Sequence, residues 1–336
     1  MSLDLEKIRQ LLLQLGDEVR DRVVIARSSV GGSDFSTISR ESAADTIYEI
    51  DRVSEVAIEA WFAEHWPPDI PAEVVMEGID PERPLVVPHG TSLADTVVKC
   101  ILDPIDGTRG IMYDKRPAWF LAGVAPQFGA KTRLRDIQVA VMVELPTAKQ
   151  WRADRCSAIR GQGVRAESVN VFTREVVPIP LRPSRATTML HGFGYISRFF
   201  PAGKALLAEV EQTLWERLYR PGVGKEIVIF EDQYISTGGQ FYELLTGRDR
   251  MIADLRPLVF RKLALTSALC CHPYDVASML VLEEAGVVLE MPDGAPLDGP
   301  FDTTSPISWV GYANSELANS VRPVLKTVLQ EFLDAG

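Results

Sequence analysis

An α+β fold of packed helical and sheet layers is what this sequence predicts. Two observations carry the reading. Segments with apolar residues at helical spacing are interleaved with short, β-branched apolar runs, but without the strict alternation of a doubly wound parallel sheet. The chain has 336 residues, 46 % of them apolar, enough to bury the core of one large domain or of two packed subdomains.

The elements follow in order. Leu5, Ile8, Leu11, Leu12, Leu15 and Val19 recur at helical spacing and predict an amphipathic helix over 3–24. Residues 28–42, rich in Gly, Ser and Thr, predict a mobile loop. Residues 46–51 are strand-like. Asp51 then caps a helix that buries Val56, Ala60 and Trp61 and ends near His65, before Pro67-Pro68. Val74-Val75-Met76 predicts a short strand ending at Glu77-Gly78, followed by an irregular loop over 81–94. Residues 97–102 predict a buried strand that stops at Asp103, because Pro104 cannot donate to a ladder. Further strands are predicted over 118–125, 137–145 and 150–159, the last leading into a turn at Gly161-Gln162-Gly163. Residues 174–184 read as the link to a second half. That half carries helices over 202–218, over 237–245 and over 276–285, the last capped by Asp275 and closed by Gly286. A strand over 287–290, a turn at Pro292-Asp293-Gly294 and a helix over 319–333 complete the chain.

Composition excludes some functions. The formal net charge of −11 argues against nonspecific nucleic-acid binding. No apolar run approaches the roughly 20 residues of a membrane span. The acidic start, Met1 to Glu6, lacks a secretory pattern, so a cytoplasmic protein is expected, with neither a membrane nor a nucleic-acid partner. Cys100, Cys156, Cys270 and Cys271 fit no zinc spacing and are expected as reduced, buried thiols. His65, His89, His191 and His272 show no metal spacing, and His272 is expected as a loop histidine.

The chemistry concentrates in Ile101-Leu102-Asp103-Pro104-Ile105-Asp106-Gly107-Thr108. Two carboxylates three residues apart repel each other unless a cation lies between them. Oxygen ligands without Cys or His suit a hard ion such as Mg²⁺. Gly107 permits close backbone approach, and Thr108 places a hydroxyl at the start of a short helix. The competing reading is an Asx-type turn closing a strand. Asp51, Glu77 and Asp275, the last in Pro273-Tyr274-Asp275-Val276-Ala277, bring the acids at element ends to five. Singly, Asp51 and Asp275 read as helix caps.

In this order, Asp51, Glu77, Asp103-Pro-Ile-Asp106-Gly-Thr108 and Asp275-Val-Ala, the sequence over about 45–315 resembles the inositol monophosphatase family. That family sits in a larger group of Mg²⁺-dependent, lithium-sensitive phosphatases with fructose bisphosphatases and bisphosphate nucleotidases. The resemblance implies one phosphatase unit over 1–336, folded as a layered αβαβα sandwich of the sugar-phosphatase type. Residues 1–180 would form an α+β half carrying most metal ligands. Residues 181–336 would form an α/β half carrying Asp275 and the substrate rim. It further implies two or three Mg²⁺ ions, one held by Glu77, Asp103 and the Ile105 carbonyl, another by Asp103, Asp106 and Asp275. Glu77 and Thr108 would position the attacking water, with Asp51 supporting Thr108. The N–H groups of Gly107 and Thr108 would cradle the phosphate, and Asp106, Arg109, Thr237 and Asp275 would face the substrate.

Four departures from the family pattern stand out: Gly78 where a second Glu is usual, Arg109 after the motif, Tyr274 where Trp is frequent, and Ser236-Thr237 or Gly238-Gly239 where Gly-Ser usually begins the substrate-side helix. The expected activity is hydrolysis of a small phosphate monoester, inositol monophosphate by default, by a homodimer. The alternative is a sugar bisphosphatase or a 3′,5′-bisphosphate nucleotidase, because Arg109, Lys115 and Arg116 could meet a second phosphate. A non-catalytic metal- or ligand-binding relative is the alternative of another class.

Overall fold

The computed structural model describes residues 3–29, 38–41, 46–79, 84–223, 227–265 and 269–333, with the side chains of 26–56 and 221–223 outside that description. In the first half the chain forms α1 (Leu5–Ser29), β1 (Ile38–Glu41), β2 (Thr46–Tyr48), α2 (Glu49–His65), β3 (Ala72–Met76), β4 (Leu85–Val87), β5 (Val98–Asp106), α3 (Thr108–Met112), β6 (Ala118–Pro126), β7 (Val139–Leu145), β8 (Arg152–Ile159), β9 (Val164–Asn170) and β10 (Val176–Pro178). The second half forms β11 (Phe193–Ile196), α4 (Lys204–Val223), α5 (Thr237–Leu245), β12 (Asp249–Asp254), α6 (Arg256–Lys262), α7 (Met279–Glu284), β13 (Val288–Glu290), β14 (Trp309–Tyr312) and α8 (Ser315–Leu333).

Side-chain alternation along buried strands builds the layers. Val98, Cys100 and Leu102 of β5 join one apolar cluster, while Ile101 joins another on the opposite face. Both faces of the large sheet, ordered β10-β9-β8-β7-β6-β5-β3-β4, are therefore covered. The first cluster packs Ile8, Leu12, Leu15 and Val19 of α1 and Ile58 and Phe62 of α2 against one face. The second packs Phe241 and Leu244 of α5 and Leu280 and Leu282 of α7 against the other. The outer side of α5 and α7 meets a four-stranded sheet, ordered β11-β12-β14-β13. A third cluster joins that sheet to Leu207 and Leu214 of α4 and Leu317 and Leu325 of α8. Helix, sheet, helix, sheet and helix follow in five layers, as the resemblance implies. No helix among the described residues is long and apolar enough to cross a membrane.

Several expectations need correction. β5 does not stop at Asp103 but runs through Pro104 to Asp106. Its pairing with β6 shifts register between Asp103 and Asp106, and this irregularity leaves Pro104 no ladder bond to donate. α2 begins at Glu49, so Asp51 lies in its first turn rather than at its cap, and the Asp51 side chain lies outside the described residues. Asp275 lies inside a 3₁₀ turn, Tyr274–Val276, and α7 starts only at Met279. α1 and α8 are longer than expected, and α8 starts early because Leu317 and Ala318 are already buried. The expected loop over 28–42 contains β1, and its residues 30–37 and 42 lie outside the described residues. The expected loop over 81–94 contains β4, with residues 81–83 outside the description. The link over 174–184 contains the edge strand β10. β9, β11, β12, β14 and α6 were not legible as separate elements.

Candidate active site

Four structural ends meet at one place: the C-terminal ends of β3 and β5, the start of α5, and the 3₁₀ turn at 274–276. Together they line an open cleft of about 700 Å³, counting the solvent at its mouth. Glu77, Asp103, Ile105, Asp106, Gly107, Thr108, Arg109, Thr237 and Asp275, nine of the ten residues singled out in the sequence, all line it. The tenth, Asp51, has no described side chain.

Local chemistry fixes each group. Asp103 is 2 % exposed, and its Oδ1 accepts from the Ile105 N–H at 3.0 Å. The Thr108 hydroxyl donates to the Ile105 carbonyl at 2.8 Å, which closes the turn after β5. Gly107 has φ 95°, a left-handed conformation, and a Cβ there would sit 2.9 Å from the Cβ of Ser236. Its freedom lets α3 and the start of α5 approach each other. Asp106 is held by that start: its carboxylate accepts from Ser236 Oγ at 2.7 Å and from the N–H groups of Thr237 and Gly238. Ser236 also caps α5 by accepting from Gly239 N–H at 2.9 Å. The Asp275 carboxylate accepts from the His272 N–H at 2.6 Å. His272 is the expected loop histidine, buried and stacked on Tyr274 with ring centroids 5.4 Å apart.

Electrostatics is the cost of this arrangement. Burial pushes the Asp103 carboxyl well above the ordinary range, and the charges of Asp106, Glu77 and Asp275 push it the same way. Burial also pushes Asp106 up to about 6, against the pull of the Gly238, Ser236 and Thr237 donors and the Arg256 charge. A hard divalent cation would relieve both. One carboxylate oxygen from each of Asp103, Asp106 and Asp275 lies within 4.8 Å of the others, and this all-oxygen donor set fits such an ion.

The cleft also contains residues that motif reading did not single out. Phe199, Phe200, Arg256, Leu269 and Cys270 also line it. Cys270 is half-buried, whereas Cys100, Cys156 and Cys271 are buried; all four thiols are free. Of the three cations expected near a second phosphate, Arg109 lines the cleft, but Lys115 and Arg116 do not. Arg116 pairs with Asp232 and lies over the Tyr234 ring at 5.0 Å. Ser236 and Gly238 carried a signal, the Ser-Thr-Gly-Gly start of a predicted helix. Arg256 carried none, because its place depends on strands that the sequence did not reveal.

Solved structures share this fold. The extragenic suppressor protein SuhB of Bartonella henselae superposes with a TM-score of 0.62 at 15 % identity, covering 95 % of this chain and 98 % of that one. Fructose-1,6-bisphosphatase of Leishmania major gives 0.64 at 13 % identity, covering 94 % and 92 %. An inositol monophosphatase of Zymomonas mobilis gives 0.54 at 14 % identity, covering 97 % and 100 %. The sequence matches no protein-family model and no curated protein. The chain thus has the layered fold of inositol monophosphatases and fructose bisphosphatases, as its motif order implied.

Proposed function

We propose that this protein is a Mg²⁺-dependent phosphatase of small phosphate monoesters. The observation that carries the reading is the convergence of Glu77, Asp103, Asp106, Asp275 and the Thr108 hydroxyl in one cleft, on a fold shared with an inositol monophosphatase and a fructose bisphosphatase. Two or three Mg²⁺ ions held by the four carboxylates and the Ile105 carbonyl would supply positive charge to the phosphoryl oxygens and acidify water. The chain's own residues do the positioning. Glu77 at the end of β3 and Thr108 at the start of α3 both line the cleft and would orient a water for in-line attack. The Gly107 and Thr108 N–H groups begin α3 and offer donors to the phosphate. The fixed carboxylates leave little to reorganise during reaction, so electrostatic preorganisation carries most of the rate.

Inositol monophosphate is the default substrate. A bisphosphate of a sugar or nucleotide is the second reading, favoured by Arg109 and Arg256 in the cleft. A cytoplasmic homodimer and inhibition by Li⁺ complete the proposal. A phosphate-release screen of inositol, sugar and nucleotide phosphates with Mg²⁺ tests it. Turnover of at least one class is expected, and silence across all of them would refute the reading.

A further inference from the structure

We propose that a second cavity, behind the turn that carries Glu77, binds a small uncharged molecule with a carbonyl acceptor on an apolar body, and that its occupant is coupled to the catalytic cleft. The site stands apart from the phosphatase reading; only the coupling draws on Glu77 as a metal ligand. The cavity measures about 460 Å³, counting the solvent at its mouth, and is lined by β3, by Lys99 of β5 and by residues 301–303 of the second half. Val75, Ile79, Pro84 and Phe301 give it apolar lining, and Glu73 and Lys99 give it an ion pair. These two are register partners on neighbouring parallel strands, with Lys99 Nζ 2.9 Å from Glu73 Oε1. Gln127 Nε2 donates to Glu73 Oε2 at 2.7 Å and to Thr96 Oγ1 at 2.9 Å, which fixes the pair. Met76 and Ile79 line this cavity, whereas Glu77, between them in sequence, lines the catalytic cleft. The Ile79 N–H donates to the Met76 carbonyl at 3.2 Å and closes that turn. One short segment is thus a wall of both spaces.

Lys99 is 9 % exposed, and an ammonium has three N–H donors and no acceptor. Among the described residues its one acceptor is Glu73 Oε1. Buried donors of this kind call for a partner. A packed apolar pair would be at least as stable as this buried ion pair, so stability alone does not account for a lysine at a cavity wall. The acids of the cavity already hold donors. Both Glu73 oxygens are engaged as above, and Asp302, which also lines the cavity, accepts from the Thr304 and Ser305 N–H groups at 3.0 and 2.8 Å and from the Ser305 hydroxyl at 2.7 Å. The polar demand that remains is for an acceptor. Charge decides its kind. Glu73 cancels Lys99, and Asp302 leaves the lining formally negative, which disfavours a carboxylate or a phosphate. A carbonyl accepts from the ammonium without bringing charge, and the four apolar residues cover the rest of the molecule.

The test titrates benzamide, benzoate and toluene, one size and three chemistries, into the purified full chain and follows binding by ligand-observed NMR. Benzamide is expected to bind with a Kd on the order of 1 mM, and benzoate and toluene at least about tenfold more weakly. The double variant Glu73→Gln/Lys99→Met removes both charges together and leaves neither unpaired. It should bring benzamide down to the level of toluene. Thr303→Trp, at a half-buried position of the lining, should fill the cavity and abolish binding of all three. Thermal melting checks that each variant folds. In a second measurement, calorimetric titration of Mg²⁺ into the wild type should give a Kd about fivefold lower with benzamide saturating than without it, because the occupant braces the turn behind Glu77, and Thr303→Trp should show no such difference. Benzoate or toluene binding as tightly as benzamide overturns the site without any variant. So does benzamide binding that survives in a folded variant, because it then lies elsewhere. Equal Mg²⁺ affinity with and without benzamide overturns the coupling. No Mg²⁺ binding at all would remove the coupling together with the metal reading of the cleft, while the probe titrations still decide the site.

Discussion

Thr108 makes the sharpest claim on a single side chain. Its hydroxyl gives its proton to the Ile105 carbonyl at 2.8 Å, so toward water it acts as an acceptor. Thr108→Ala is expected to lower kcat by about 10²–10⁴-fold with KM little changed, because the loss falls on the transition state. Thr108→Ser should restore most of it. Steady-state kinetics on the preferred substrate decides; wild-type kcat in Thr108→Ala would reduce the hydroxyl to a turn closure. Gly78 is instructive beside it. Its φ is 86°, a conformation that costs a residue with a Cβ roughly 1–2 kcal/mol. The missing second Glu of the family pattern thus coincides with a backbone that disfavours any side chain there.

The 3₁₀ turn that carries Asp275 is placed by a strand. A Cβ at Gly123 of β6 would lie 2.5 Å from the Ala277 carbonyl oxygen, so only glycine lets the turn rest on the sheet at that point. Gly123→Ala is expected to push the turn outward, at a cost of about 1–3 kcal/mol in stability, and to weaken Mg²⁺ binding. Thermal melting and calorimetric titration check both; unchanged stability and affinity would show that the contact does not seat Asp275. The same scale explains what could be read in advance. The run from Asp103 to Thr108 was legible because its chemistry is local: acids, a proline and a glycine within six residues. Its strand end was misjudged because a register shift tolerates Pro104, and nothing in the sequence marks that shift. Asp51 and Asp275 read as caps because acids at such positions usually are; the first lies in the first turn of α2, and the second accepts instead from the His272 N–H. β11, β12 and β14 are four to six residues long, and packing between layers, not local pattern, makes them strands. Arg256 and the Phe199–Phe200 wall depend on those strands and so were invisible.

Across the whole molecule, five layers bring acids from both halves to one cleft, and the fold carries their repulsion. An Asp titrates near 3.9 in the unfolded chain, whereas Asp106 is pushed up to about 6 and Asp103 is also raised. The metal-free native state therefore holds protons that the unfolded chain releases. Its stability from these groups is present at low pH and lost as pH rises through about 6. Mg²⁺ must displace those protons, so the rise in Tm that Mg²⁺ gives should be small near pH 5 and large near pH 7.5. An equal rise at both values would show that these carboxylates do not take the ion. The most direct test of the central claim is phosphate release from the best substrate in the screen, followed through chelation and re-addition of Mg²⁺, for the wild type and for Asp103→Asn, the acid that faces Asp106, Glu77 and Asp275 at once. Wild-type turnover should vanish in chelator and return with Mg²⁺, and the folded Asp103→Asn protein should stay at background in both. Turnover that survives chelation, or that persists in Asp103→Asn, would contradict a metal-dependent site built on these four acids.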